Sequence, residues 1–275
     1  FFQKYNSTEL GASFIDSSNH SIHTVTAVGN AHTDTSVKKI GTASLQVDGT
    51  GDWLTIPASP DWNFGTGDFT VEAWLYVSSA NTYAFGQYSE GGAFAINQGS
   101  GTEVNWYRDG GSNLNFGSGS APSADTWTHV AIVRNSSVTT YYKDGVATGT
   151  SQADTHDYDA EGEIYYVGSV DTSAGHPPIV GYVDEFRISN TARYTGTFTP
   201  STTEFTADQY TKLLLHMDGS DSGTTFTDSS WTGELSGGNH PVEANGDATN
   251  QRPQPHDVTA NGDAHLIGPK VGTSS

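Results

Sequence analysis

The stretch GYVDEFRISNTARYTG, residues 181–196, places two carboxylates, Asp184 and Glu185, inside an otherwise apolar strand pattern. Buried carboxylates are rare unless paired, hydrogen-bonded or bound to a metal. Three kinds of chemistry are open to such a pair: glycosidic catalysis, cation binding or a structural tie. A retaining glycosidase needs two carboxyls about 5–5.5 Å apart on one side of the substrate. Neighbours on a regular strand point to opposite faces. The spacing therefore predicts that Asp184 and Glu185 do not act as a dyad. Asp184 is expected to share a face with Tyr182, Phe186 and Ile188 and to point inward. Glu185 is expected outside, paired with Arg187.

Other nucleophilic and metal patterns are missing. There is no cysteine, no G-x-S-x-G turn and no H-E-x-x-H helix motif among the ten histidines. Aromatic residues offer a different chemistry, the stacking of sugar rings. Trp106, Tyr107 and Arg108 in EVNWYRDGG, and Tyr83 and Tyr88 after FTVEAWLYV, are the candidate ligand-binding residues. Gly and Asn around Trp106–Arg108 favour exposure, whereas Trp53, Trp74 and Trp127 sit in framework patterns and are expected in packing. Trp74 and Tyr76, on the polar face of FTVEAWLYV, are further candidates.

The elements that must position these residues are strands. In FTVEAWLYV, Phe69, Val71, Ala73, Leu75 and Val77 alternate with Thr70, Glu72, Trp74 and Tyr76, the period of a strand. WTHVAIVRN (127–135), SVTTYYKDGVATGT (137–150), EIYYVGS (163–169) and GYVDEFRIS (181–189) follow. Asp144-Gly145 marks a tight hairpin turn. No helical stripe runs beyond about two turns. The segment SNTARYTG is read as a helical turn at the sandwich edge. Only 34% of residues are hydrophobic, but 6 Trp, 13 Tyr and 12 Phe supply core bulk, and 32 Gly supply turns. The 275 residues thus read as an all-β antiparallel sandwich.

The net charge of −20 repels phosphate backbones and argues against nucleic-acid binding. No stretch reaches the ~20 apolar residues of a membrane-spanning helix. With Phe1 first and Met217 the single methionine, the sequence reads as a processed chain or a segment of a longer one.

An internal repeat divides the chain. FIDSS (14–18) returns as FTDSS (226–230), HTVTAVGNAH (23–32) as HDVTANGDAH (256–265), and KKIGTAS (38–44) as PKVGTSS (269–275). The histidines His23 and His32 recur as His256 and His265, which points to a shared packing role more than to zinc. The expected organisation is a sandwich over 1–205 and, over 206–275, a strand KLLLHMDG followed by a partial second repeat. That strand either begins a tandem domain or supplies a missing strand, in cis or to a neighbouring subunit.

Six ordered motifs, GTASLQVDGTGDWLTIP, FTVEAWLYV, DTWTHVAIVRN, TTYYKDGVA, YVGS and GYVDEFRISNTARYTGTF, resemble the laminin-G-like domains of the concanavalin A-like lectin/glucanase superfamily. The phrase DEFRISNTARYTGTFTP…LLLHMDG is similar to bacteriophage structural and tail-fibre proteins, marine ones in particular. The resemblance implies a jelly-roll sandwich of two curved antiparallel sheets, carried in glycan- or protein-binding modules, often with structural Ca²⁺. Carried over residue by residue, it implies Ca²⁺ at Asp16 and Asp184, with carbonyls near Lys39 completing the shell. Superfamily glucanases carry an E-x-D-x-x-E run that this sequence lacks. The function expected from the sequence is a non-enzymatic virion structural or adhesion module. Its partners would be a host surface glycan or other virion proteins, as a homo-oligomer or tandem array at a virion surface or outside the cell. The alternatives are a lectin-type module of a bacterial surface or secreted protein, and a glycan hydrolase.

Overall fold

The computed structural model describes residues 23–78, 81–88, 92–96, 102–108, 113–159, 162–172 and 175–230 in full, and the backbone of Asn97 and of four short strands near the termini. The chain divides into two compact units, one of Ser21–Trp231 and one of Phe1–His20 with Thr232–Ser275. In the smaller unit Lys4–Asn6 pairs antiparallel with Ser13–Ile15, and Val242–Asp247 pairs parallel with Val258–Ala264. Asp16 lies outside the described residues.

The larger unit is an antiparallel sandwich. Its strands are β1 (Thr26–Val28), β2 (His32–Asp34), β3 (Ser44–Asp48), β4 (Trp53–Ile56), β5 (Phe69–Val77), β6 (Thr82–Gly86), β7 (Ala93–Asn97) and β8 (Glu103–Tyr107). They continue as β9 (Leu114–Ser118), β10 (Thr128–Asn135), β11 (Val138–Lys143), β12 (Val146–Ala147), β13 (Gln152–Ala153), β14 (Tyr165–Val167), β15 (Val180–Ser189) and β16 (Thr211–Leu215). One sheet runs β9-β8-β7-β6-β14-β4-β1. The other runs β12-β11-β10-β5-β15-β3-β2, with β13 beside β11 and β16 beside β15. Among the described residues the one helical element is the 3-10 turn Pro60–Trp62. SNTARYTG forms bends and extended chain, not the helical turn read from the sequence.

Period-two alternation does what the sequence predicts in β5. Phe69, Val71, Ala73, Leu75 and Val77 enter the main core with Leu54, Phe94, Trp106, Ile132 and Val183. Two left-handed residues, Asp144 (φ 50) and Gly145 (φ 78), make the turn between β11 and β12. Any Cβ at Gly145 would strike the carbonyl oxygen of Phe198, so glycine is required there by both φ and contact.

Residues 190–210 form a strap across the outer face of the β5 sheet, and it buries polar side chains. Tyr194 and Phe198 stack at 3.5 Å over Tyr142. Glu72, fully buried, accepts from Arg187 Nε (2.9 Å) and Nη2 (2.6 Å) at Oε1, and from the Tyr194 hydroxyl (2.7 Å) at Oε2. His129 Nε2 lies 3.3 Å from Oε2. Burial opposes the Glu72 charge, but His129, Arg187 and Tyr194 overcome it and hold its carboxyl down at about 2. Farther along, Arg193 grips Asp208 with two hydrogen bonds of 2.7 and 3.0 Å.

The strand read from KLLLHMDG pairs in cis. Phe186, Arg187 and Ile188 of β15 face Leu215, Leu214 and Leu213 of β16. Residues following β16 then run beside the first described residues of the unit, through bridges Thr33–Gly223 and Thr24–Thr227.

Candidate functional site

The outer face of the β7 sheet carries the aromatic cluster. Tyr83 on β6, Ala95 on β7 and Asn105 on β8 face one another in register, and Ala93 faces Tyr107 in the next row. The two alanines keep the floor shallow between the tyrosines. The loop between β14 and β15 folds along β6, where Pro177 O accepts from the Tyr83 N–H (2.9 Å) and Val170 O from the Tyr88 N–H (3.3 Å). That path brings His176 over the tyrosines. Its ring sits 3.6 Å from Tyr88 and 4.8 Å from Tyr83, and its Nδ1 is 2.7 Å from Asp171 Oδ2. Tyr83 lies 5.7 Å from Tyr107 and 5.8 Å from Tyr88, and Tyr88 lies 5.3 Å from Tyr107.

Tyr83 is buried at the centre, whereas Tyr88, Tyr107, Asp171 and His176 are half-exposed around it. Burial, reinforced by the neighbouring phenols and Asp171, pushes the Tyr83 and Tyr88 hydroxyls up, so they remain neutral donors. Asn105 is 4% exposed, yet its Nδ2 has no hydrogen-bond partner. A buried amide left without an acceptor costs about 1–3 kcal/mol. Aromatic faces beside a spare amide donor and a His–Asp pair suit a polyhydroxylated ring, apolar on its face and polar on its rim.

The other sequence candidates are placed elsewhere. Trp106 is fully buried in the main core and donates to Tyr158 Oη (3.1 Å), so its expected exposure is corrected; it alternates with Asn105 and Tyr107 and must face inward. Arg108 also leaves the cluster, with Nη1 3.1 Å from the buried Asp154. Trp74 is buried under Lys39, whose Nζ lies 4.1 Å from the ring, and Tyr76 contacts Trp127 and Tyr182. Asn105, Asp171 and His176 escaped sequence reading. A Gly-Pro-flanked His in SAGHPP is a loop signal, but nothing in the sequence says which sheet face the loop reaches.

The opening pair is corrected by a β-bulge. Asp184 faces Trp74 and Arg187 faces Glu72, so three steps on β15 match two on β5. Glu185 absorbs the extra residue at φ 50, a left-handed value that strains a non-glycine residue. Val183, Phe186 and Ile188 therefore face the core, while Asp184 and Glu185 both lie on the outer side, buried under neighbouring loops. Alternation alone does not separate them. Glu185 does not pair with Arg187, which Glu72 already holds. Its Oε1 is 2.7 Å from His216 Nδ1, and its Oε2 accepts from the Phe205 N–H (2.6 Å).

Asp184 Oδ2 accepts the Lys39 and Ile40 N–H groups (2.8 and 2.9 Å). Asp218 likewise accepts from Thr42 and Ala43, so two aspartates pin the β2–β3 loop. Asp184 Oδ2 is committed to two N–H donors, whereas its buried Oδ1 has no hydrogen-bond partner. Among the described residues, which do not include Asp16, no group of three ligating side chains gathers around it. Asp184 is a tie between β15 and the β2–β3 loop.

That tie has a pH signature. Burial raises Asp184 to about 7 against two opposing N–H bonds, with Glu185 and Asp218 adding to the rise. The fold then binds a proton that the unfolded chain, with a carboxyl near 3.9, has lost, so stability from this group falls as pH rises from about 4 to about 7. His216 is raised from 6.5 by Glu185, and its contribution is lost as pH climbs through the folded value. Melting temperature is expected to fall between pH 5 and 8, and Asp184→Asn to flatten that fall. Equal slopes in variant and wild type would contradict this assignment.

A family model described as the concanavalin A-like lectin/glucanases superfamily matches residues 48–196. No curated protein matches the sequence. Among solved structures, domain 4 of AbnA, a GH43 extracellular arabinanase from Geobacillus stearothermophilus in complex with arabinotriose, is 17% identical, with a TM-score of 0.49 over 66% of this chain and 87% of that one. The heptameric SAP-like pentraxin of Limulus polyphemus is 15% identical, with a TM-score of 0.41 over 66% and 88%. A Trypanosoma rangeli sialidase is 16% identical, with a TM-score of 0.43 over 65% of this chain and 30% of its own.

Proposed function

Because the chain belongs to the concanavalin A-like lectin/glucanases superfamily, we propose that it is a non-enzymatic adhesion module that binds a glycan on the outer face of its β7 sheet. The observation that carries this reading is the cluster of Tyr83, Tyr88, Tyr107 and His176 beside the buried, unpartnered amide of Asn105. The net charge of −20 and Asp171 at the rim disfavour anionic sugars, so the ligand is a neutral glycan. Most glycoside hydrolases use two carboxyls flanking the bond. Asp171 is instead engaged by His176, which favours binding over hydrolysis. Placement at a virion surface, facing a host glycan, rests on the phrase DEFRISNTARYTGTFTP…LLLHMDG.

A glycan array of neutral and sialylated oligosaccharides tests the reading. Wild type is expected to retain neutral glycans, and Tyr88→Ala/Tyr107→Ala to bind them at least about tenfold more weakly, a loss of about 1.4 kcal/mol. Both tyrosines are half-exposed, so the variant should melt near the wild-type temperature. No retained sugar, or equal retention by the variant, would sink it.

A further inference from the structure

The segment Thr211–Ser230 acts as a clasp on the sandwich. It adds Leu213, Leu215, Met217 and Phe226 to the main core. Asp228, nearly inaccessible, accepts the N–H groups of His23 (2.8 Å), Leu214 (3.2 Å) and Ser230 (2.8 Å). His23 and Asp228 are 205 positions apart in sequence. The clasp is entered by a tight turn in which the Thr211 N–H donates to Asp208 O (2.9 Å), directly after the Arg193–Asp208 pair anchors the strap. From that turn to Ser230 the segment is held on the sandwich by its β16 pairing, its core side chains and the Asp228 bond to His23.

The repeat bears on which clasp belongs in this slot. HTVTAVGNAH (23–32) has its own upstream FIDSS (14–18), and HDVTANGDAH (256–265) has its own upstream FTDSS (226–230). Yet the place beside His23 holds FTDSS, the copy that precedes the other HxVTA segment. A slot that accepts the second repeat's segment is not reserved for the adjacent one.

We propose that Thr211–Ser230 is an exchangeable clasp, and that a second copy of this chain receives it in the same slot, joining copies. Contacts made in cis and in trans are the same, so only effective concentration and the turn at Asp208–Thr211 bias the choice. Donor segment and acceptor slot are different surfaces, so reciprocal exchange closes a dimer and one-way exchange builds rings or open arrays.

Thr24 and Thr227 face each other across an antiparallel bridge, both exposed, and the chain contains no cysteine. Opposed residues of this kind lie within disulfide reach. The Thr24→Cys and Thr227→Cys chains, unfolded together and refolded at high concentration, are expected to give disulfide-linked heterodimers at least fivefold above a Thr24→Cys and Thr150→Cys control mixture. A Thr24→Cys/Thr227→Cys chain is expected to lock as a monomer when refolded dilute and as a covalent ladder when concentrated. Heterodimers at the control level, with a double variant that is monomeric or reduced at every concentration, would overturn the proposal. Neither result bears on the tyrosine cluster, which lies on β6–β8, away from the clasp beside β15 and the start of β1.

Discussion

Glu72→Gln is expected to destabilise the sandwich by about 3–5 kcal/mol, the cost of leaving a buried charge without its partner. Both Arg187 bonds reach one oxygen, Oε1, so glutamine leaves the largely buried guanidinium only a neutral amide oxygen and no counter-charge, with the Phe205 ring 4.1 Å from its guanidinium carbon. The amide nitrogen would then stand where Oε2 accepts from Tyr194, loosening the strap at its centre. Urea denaturation of the single variant and of Glu72→Gln/Arg187→Met separates the charge effect from packing. The double variant should recover part of the loss, because it removes the orphaned cation together with its acceptor. A single variant within about 0.5 kcal/mol of wild type would show that the network does not hold the strap.

The second large effect is expected at Asp228. Asp228→Ala leaves three N–H groups, those of His23, Leu214 and Ser230, without their acceptor in a nearly inaccessible place. At about 1–3 kcal/mol for a buried unsatisfied group, the loss approaches that of Glu72→Gln even when water rescues one of them. The clasp should detach before the rest of the sandwich unfolds. Hydrogen exchange would show this as lost protection at Leu213–Leu215 with protection retained in β5 and β10. Uniform loss across both would mean that the clasp is not a separable unit.

The sheet architecture was legible because most strands obey alternation. FTVEAWLYV and WTHVAIVRN each bury one apolar face against the opposite sheet. Glu185 was misread for the same reason. Val183 and Phe186 are three apart, not two, and that break in the apolar pattern was the available sign of a bulge. The partner of Arg187 could not be read locally. It sits on β5, a neighbour of β15 in space and 115 positions away in sequence. Tyr83 and Tyr88 stood out by type and by following FTVEAWLYV, and Tyr107 by its Gly- and Asn-rich flanks, but Trp106 shared those flanks and faces the core. Asn105 carried no signal, since an asparagine in a strand is ordinary until its amide proves to be buried and unpartnered.

The most direct test of the glycan site is the side-chain amide of Asn105, followed by NMR on isotope-labelled protein titrated with a neutral glycan that it retains. The amide is buried without an acceptor in the free protein, so ligand binding on that face should give it one. Its Nδ2 proton resonances are expected to shift together with those of His176 and the Ala93 and Ala95 amides. Shifts confined to the groove of about 830 Å³ lined by Lys39, Phe205 and His216, with the Asn105 amide unmoved, would contradict the account.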